Sequence, residues 1–373
     1  MSTRAADRLQ PRDDLRALEG YHSPQLDVAV RLNTNESPFP PPPRFVEAWI
    51  DGLRELTFNR YPDRNATDLR EALGGALGQS PERLFCANGS NEVLQTILLT
   101  YGGPARPALV FEPTYALHAH ICRITGTEVI EGERLADFSF DATTIADLLD
   151  STGARIVFVC SPNNPTGTVE SLDTLERVAE TVASRGALLV VDEAYGEFAD
   201  ESALDLVDDG LPLLVVRTYS KVWSMAALRL GFGVGPAWAI AELEKVLLPY
   251  ALSAPTQLAG VLALDFRGEM AERVDTLVAE RERIRSALAS VDGITVFPSG
   301  ANFLLMRTEP RDEVARPATG RALWEGLLER GVLVRDFSHW PRVEGCLRVT
   351  VGTPTENDAF LAAMREAFPE VVT

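Results

Sequence analysis

Between Leu84 and Val234 short apolar runs recur at intervals: LFCA (84–87), ALVFE (108–112), TEVIE (127–131), RIVFVC (155–160), ALLVV (187–191), LLVVRT (213–218) and LGFGV (230–234). Most are separated by segments long enough for a helix, such as 91–101 and 171–184, and another follows at 236–248. Runs that are apolar at successive positions suit strands covered on both faces, and strand–helix alternation calls for parallel pairing through crossover helices. The pattern therefore predicts an α/β protein with a doubly wound, mostly parallel sheet in a large domain.

The pattern changes on either side of that region. The first ~35 residues are polar and weakly periodic and lead into Pro38-Phe39-Pro40-Pro41-Pro42-Pro43, which suits neither a helix interior nor a central strand. Residues 1–45 read as an arm, 46–265 as the large domain. Residues from about Asp265 to Val291, rich in Arg, Glu, Ala and Leu, predict one long exposed helix into a third segment, 266–373. There, strands near 294–297, 302–306, 332–335 and 346–351 flank helices near 319–330 and 355–367, as expected of a smaller α+β domain.

With 35 basic and 54 acidic residues the net charge is −19, a field that repels phosphate backbones and anionic membrane surfaces. Neither a nucleic-acid nor a membrane partner is expected. No apolar run approaches the ~18 residues of a spanning helix, and MSTRAADRLQPRDD lacks the apolar centre of a signal peptide, so a cytoplasmic location is expected. Cys86, Cys122, Cys160 and Cys346 are scattered and predict buried, inert thiols rather than a zinc site. His118 and His120 stand two apart, a spacing that does not share a helix face, so they read as a structural or solvent-facing pair and no metal is expected. Gly231, Gly233 and Gly235 lack the G-x-G-x-x-G spacing of a dinucleotide site.

Ligands of open α/β sheets bind beyond the carboxyl ends of the strands. The residues following the apolar runs include Gly89-Ser90-Asn91, Tyr115, Ser161 to Gly167, Asp192 to Tyr195 and Ser220-Lys221. Ser90 and Asn91 at a helix start could receive a phosphate or simply cap the helix, and Ser220 with Arg229 could complete an anion site. Asp192, after an apolar strand, needs a cationic or donating partner. It fits either a structural hydrogen bond or the protonated ring nitrogen of a cofactor. Lys221, with Arg217 and Arg229 near in sequence, could be an amine activated by desolvation and like charge, or a lysine that reaches to water.

Taken together these residues supply a phosphate cradle, an acid for a pyridine nitrogen, tyrosine and asparagine donors and an amine nucleophile. From about Tyr21 to Phe368 the chain resembles the histidinol-phosphate aminotransferase family of fold-type I pyridoxal-phosphate aminotransferases. The blocks that carry the resemblance are Arg31 to Pro38, Arg60-Tyr61-Pro62-Asp63, Ser161 to Gly167, Val191 to Tyr195, Ser220-Lys221 with Arg229, Val334-Arg335-Asp336 and Leu347-Arg348-Val349. The resemblance implies pyridoxal 5'-phosphate as cofactor, held through Lys221, which would also move the proton between substrate and cofactor. It implies Asp192 against the pyridine nitrogen, Tyr195 and Asn164 on the phenolic oxygen, and Tyr115 on the ring face. Ser90, Asn91, Ser220 and Arg229 would hold the cofactor phosphate, joined by Tyr61 from a second subunit of a homodimer with shared sites. Arg348 would clamp the substrate α-carboxylate, or the glutamate donor's in the other half-reaction, with Arg335, Tyr21 and Asn35 on the substrate side.

The reaction so implied is transfer from histidinol phosphate to 2-oxoglutarate, giving glutamate, within histidine biosynthesis. An aromatic amino-acid aminotransferase and a specialised-pathway aminotransferase of the same family are the alternatives. A decarboxylase with the same cofactor, and a scaffold that keeps only the fold, belong to other classes. The chain departs from the common family pattern at Ala226-Ala227-Leu228-Arg229, where Gly usually precedes Leu-Arg. It also departs at Trp223, at Gly20-Tyr21-His22 and at Asn35-Glu36-Ser37-Pro38, none of which is expected to touch the cofactor set.

Overall fold

The structure is a computed structural model that describes residues 9–16, 18–20 and 24–372. Within the arm, a short strand β1 (Val30–Leu32) departs from the irregular chain expected there. The polyproline stretch ends in helix α1 (Pro43–Glu55), with Pro43 in the first helical position, where a missing N–H costs nothing. Helix α2 (Thr67–Leu77) follows and ends on Gly78, whose φ of 66° is the left-handed conformation that closes many helices.

The large sheet is built from β2 (Leu84–Ala87), β3 (Ala108–Glu112), β4 (Val129–Glu133), β5 (Ile156–Cys160), β6 (Leu188–Asp192), β7 (Leu213–Thr218) and β8 (Gly231–Val234). Their order across the sheet is β2-β8-β7-β6-β5-β3-β4. Pairing is parallel from β7 through β4, and β8 runs antiparallel to both its neighbours. Each predicted run forms its strand, with β4 displaced toward the C-terminus of its run.

The crossovers are α3 (Ser90–Tyr101), α4 (Leu117–Thr125), α5 (Ala142–Thr152) and α6 (Leu172–Ala183), and after the sheet come α7 (Ala237–Val246) and α8 (Ala254–Ala263). Local chemistry starts several of them: the side chains of Asp141, Ser171 and Ser253 accept from backbone N–H groups of α5, α6 and α8. Alternation along the strands divides the core. Leu109, Val157, Leu189 and Val215 pack with one layer, while Val110, Phe158, Val190 and Val216 pack with the other.

Helix α9 (Arg267–Ala289) is the long connecting helix, and it is not wholly exposed: Met270, Leu277, Ile284 and Leu288 form a buried stripe. The second sheet comprises β9 (Ile294–Val296), β10 (Phe303–Thr308), β11 (Val332–Asp336) and β12 (Cys346–Thr350), with α10 (Arg316–Glu329) and α11 (Pro354–Val372) packed together. Strand β1 adds to its edge in parallel with β11, placing Val30 opposite Val332. That pairing brings residues 33–36, which follow β1, alongside β12 at the junction of the two sheets.

Among the described residues no helix is long and apolar enough to cross a membrane. All four cysteines are free and buried. Burial pushes the thiols of Cys86, Cys122 and Cys346 up to about 12, and that of Cys160 further in the same direction.

Candidate active site

A cavity of about 400 Å³ opens at the carboxyl ends of β5, β6 and β7, bounded on its other side by residues of the arm and β12. It brings together Ser90, Asn91, Tyr115, Asn164, Asp192, Tyr195, Ser220, Lys221, Arg229, Asn35 and Arg348. Parallel strands end on the same edge of a sheet, so residues more than a hundred positions apart meet there.

At one end lies the start of α3. Gly89 precedes it with φ 82°, and no side chain caps the helix, so its first N–H groups face the cavity end without a capping oxygen. Arg229 closes against this turn. A Cβ on Gly89 would sit 2.6 Å from Arg229 Nη2, so glycine lets the guanidinium approach the helix terminus. Arg229 Nη1 also donates to the Ala226 carbonyl at 3.1 Å and lies 3.5 Å from Ser220 Oγ. Ala226 and Ala227 line the cavity, so the departure noted around them does touch the residues of the anion site, contrary to expectation. Backbone N–H groups, a hydroxyl and a guanidinium converging at a positive helix end are the donor set for a phosphate.

On the deep side, the donating partner Asp192 requires is His118. Its Nε2 lies 2.9 Å from Asp192 Oδ2, and Asp192 Oδ1 accepts from the Ala194 N–H at 3.0 Å. His118 is buried, stacked on Phe158 and edge-on to Tyr115, so of the two readings of this residue, structural or solvent-facing, it takes the structural one. It lies on the buried face of α4 with Ile121 and Cys122, and no spacing in the sequence pointed to its partner.

Lys221 follows β7 by three residues and is half-buried in the cavity wall, where its Nζ donates to the Thr34 carbonyl at 3.1 Å. Desolvation lowers the amine to about 8, and Arg348 adds to the shift while Glu36 opposes it. Arg217, expected to share in that effect, does not: alternation along β7 turns it to the other face, where it pairs with buried Glu193 at 2.8 Å. Tyr195 Oη accepts from Asn35 Nδ2 at 2.8 Å, and burial raises its phenol, which holds it protonated. Asn35 stands at φ 56° and is locked from both sides by Thr350, which accepts from its backbone N–H and donates to its Oδ1.

Arg348 on β12 is buried, donates to the Asn33 carbonyl at 2.8 Å through Nη2 and to Asn164 Oδ1 through Nη1. Tyr115 Oη reaches Asn91 Oδ1 at 3.4 Å. Arg335, expected on the substrate side, lines a smaller recess beside the main cavity, and Tyr61, expected to act at a second subunit's site, is 80% exposed and stacked on Tyr250. Tyr21 lies outside the described residues.

The set fits pyridoxal 5'-phosphate in its chemistry: an anion cradle at one end, a buried carboxylate held by an imidazole, donors from Asn164 and Tyr195, and an amine of lowered basicity among them.

Comparison with known proteins agrees over nearly the whole chain. The family described as aminotransferase class I and II matches residues 27–364. The chain is similar to the histidinol-phosphate aminotransferase of Paenarthrobacter aurescens (strain TC1), 42% identical with 96% of this chain and 95% of the relative covered. It is likewise similar to that of Streptomyces avermitilis, 43% identical with 96% and 97% covered. In fold, it resembles the histidinol-phosphate aminotransferase of Sinorhizobium meliloti solved in complex with pyridoxal-5'-phosphate, with a TM-score of 0.87, 23% identity and 99% of each chain covered.

Proposed function

This chain belongs to the aminotransferase class I and II family, and on that premise we propose that it transfers the amino group of histidinol phosphate to 2-oxoglutarate with pyridoxal 5'-phosphate as cofactor. The observation that carries the reading is the desolvated Lys221 amine, lowered to about 8, in one cavity with the His118-bound carboxylate of Asp192. The substrate follows from the relatives, which match at about this chain's full length.

In this reading the start of α3 at Ser90 and Asn91, with Ser220 and Arg229, holds the cofactor phosphate. Asp192 keeps the ring nitrogen protonated, His118 holds Asp192 in place, and Asn164 and Tyr195 bind the phenolic oxygen. Tyr115 packs on the ring. When bound, pyridoxal phosphate supplies a conjugated cationic ring that takes up the electrons left when the α-proton is removed. Lys221 Nζ is the base that accepts that proton and returns it, and a lowered pKa suits an amine that must be neutral to do so near neutral pH. Arg348, already bracketed by Asn33 and Asn164, binds the α-carboxylate of glutamate and 2-oxoglutarate, the partners in this exchange that carry one, and its fixed fork orients the reacting carbon. Arg335, Asn35 and Tyr21 attend the rest of the substrate.

The proposal includes a homodimer in which Tyr61, exposed in its own chain, reaches the phosphate of the partner's site. It also includes a cytoplasmic location, which suits four free buried thiols. The arm 1–45, the cofactor domain 46–265 and the small domain 266–373 are its working parts.

The test is amino transfer by the cofactor-loaded protein, with glutamate formation from 2-oxoglutarate followed separately for histidinol phosphate, phenylalanine and tyrosine. Histidinol phosphate should be the fastest donor. Faster transfer from phenylalanine would replace the substrate assignment. A monomer by light scattering at assay concentration would remove the shared-site part.

A further inference from the structure

Beside the main cavity is a recess of about 20 Å³ that shares Tyr115, Asn164 and Arg348 with it and is otherwise walled chiefly by Arg335, Phe337 and Trp340. Space of that size admits about one water molecule. Phe337 is buried and stands near both cations: the guanidinium carbons of Arg348 and Arg335 lie 5.6 and 6.0 Å from its ring centre. Trp340 meets Phe337 edge-on at 4.9 Å and is only partly buried.

The loop that carries Trp340, residues 337–345, is held at both ends of its reach. Asp336 Oδ1 accepts from the Ser338 N–H and hydroxyl, and Arg342 pairs with Glu133 at the end of β4 in the large sheet. Phe337 is fixed in a small apolar cluster with Phe138, Leu305, Val343 and Cys346. Trp340 packs against the same cluster, is less buried than Phe337, and lines the recess beside Arg348.

We propose that Trp340 is a specificity-determining residue: its ring packs against a flat ring carried by the substrate at the mouth of this recess, whereas a short acyclic side chain does not engage it. Tyr115, Phe337 and Trp340 offer ring faces and edges, which favour a planar unsaturated group over an aliphatic acid. The identity of the natural ring-bearing substrate rests on the transamination reading above; the recess itself does not.

The experiment uses cofactor-loaded protein and two carboxylates that cannot react, 3-phenylpropionate with a ring and glutarate without one, with binding measured by calorimetry. Trp340→Ala, and Trp340→Leu as a variant that keeps apolar bulk, should weaken 3-phenylpropionate by about 3- to 10-fold, the range of one aromatic contact, and move glutarate by less than about 2-fold. Trp340→Phe should restore most of the loss. Equal weakening of both ligands, or unchanged binding of 3-phenylpropionate, would overturn the proposal. If the wild type transfers from neither histidinol phosphate nor phenylalanine yet the ring selectivity persists and depends on Trp340, the transamination reading fails and the ring subsite stands.

Discussion

Nε2 of His118 lies 2.9 Å from Oδ2 of Asp192, with both side chains buried. The backbone N–H of Ala194 holds the other carboxylate oxygen, so the orientation of Asp192 is set from two directions. Stacking on Phe158 in turn fixes the imidazole plane. His118→Phe keeps a ring on Phe158 and removes the hydrogen bond. A hydrogen bond to a charged group contributes about 1.5–3 kcal/mol. Turnover should fall by roughly one to two orders of magnitude with an unchanged far-ultraviolet circular dichroism spectrum. Asp192→Ala should cost more, several kcal/mol of transition-state stabilisation, because it removes the charge itself. Wild-type turnover in His118→Phe would exclude a positioning role.

The Lys221 amine, at about 8, makes capture of the cofactor pH-dependent. Only the neutral amine attacks an aldehyde. Below about 8 the amine is charged, so the loading rate of cofactor-free protein should rise with pH through that value and level off above it. Arg348 is the second cause of the lowered value, and removing its positive charge raises the lysine pKa. In Arg348→Gln the midpoint of the loading profile should therefore move to higher pH. Stopped-flow absorbance between pH 6.5 and 10 reads both. A profile that is flat, or a midpoint that moves down in the variant, contradicts the assignment.

Gly231 is held to its identity by the anion cradle. A Cβ there would lie 2.2 Å from the Ser90 nitrogen and 2.3 Å from the Gly89 carbonyl carbon, both backbone atoms with no rotamer to give way. Gly231→Ala must push the start of α3 off β8. A loss of about 1–3 kcal/mol in stability is expected from such overpacking. Weakened binding of pyridoxal phosphate should accompany it, more than in Gly75→Ala, where nothing lies within 4 Å of the added carbon. Denaturant titration and cofactor titration of the two variants make the comparison.

Arg134 and Glu170 form a buried ion pair at 3.0 Å, and Arg134 also donates to the carbonyls of Phe138 and Cys160. Removing one partner strands a charge without water. Arg134→Met should destabilise the protein by about 3–5 kcal/mol. The double variant Arg134→Met, Glu170→Met should be less damaged than the two single effects added together. A chemical denaturation cycle gives the coupling, and strict additivity would show that the pair does not act as one unit.

Much of this site was legible in the residues that follow each strand. Asp192, Tyr195, Asn164, Ser220 and Lys221 could be singled out because a buried parallel strand that ends in a polar residue delivers it to a common edge. The bond from His118 to Asp192 was not legible, because it joins a helix to a strand end 74 residues away and no spacing encodes it. Arg217 shows the opposite error: closeness in sequence to Lys221 suggested shared electrostatics, but strand alternation sends it to Glu193 on the other face. Phe337 and Trp340 resemble ordinary core and surface aromatics until β11 and β12 set them beside Arg335 and Arg348.

The order of apolar runs and helices was enough to determine a mostly parallel sheet and the edge at which polar residues collect, since these follow from local periodicity and chain connectivity, but not the antiparallel placement of β8. Only tertiary structure decided which of those residues are partners, how far the Lys221 amine is desolvated, and that the arm supplies Asn33, Thr34 and Asn35 to the cavity through β1. Such outcomes depend on distances of a few ångströms between segments remote in sequence, and electrostatic and hydrogen-bond energies change steeply over that range.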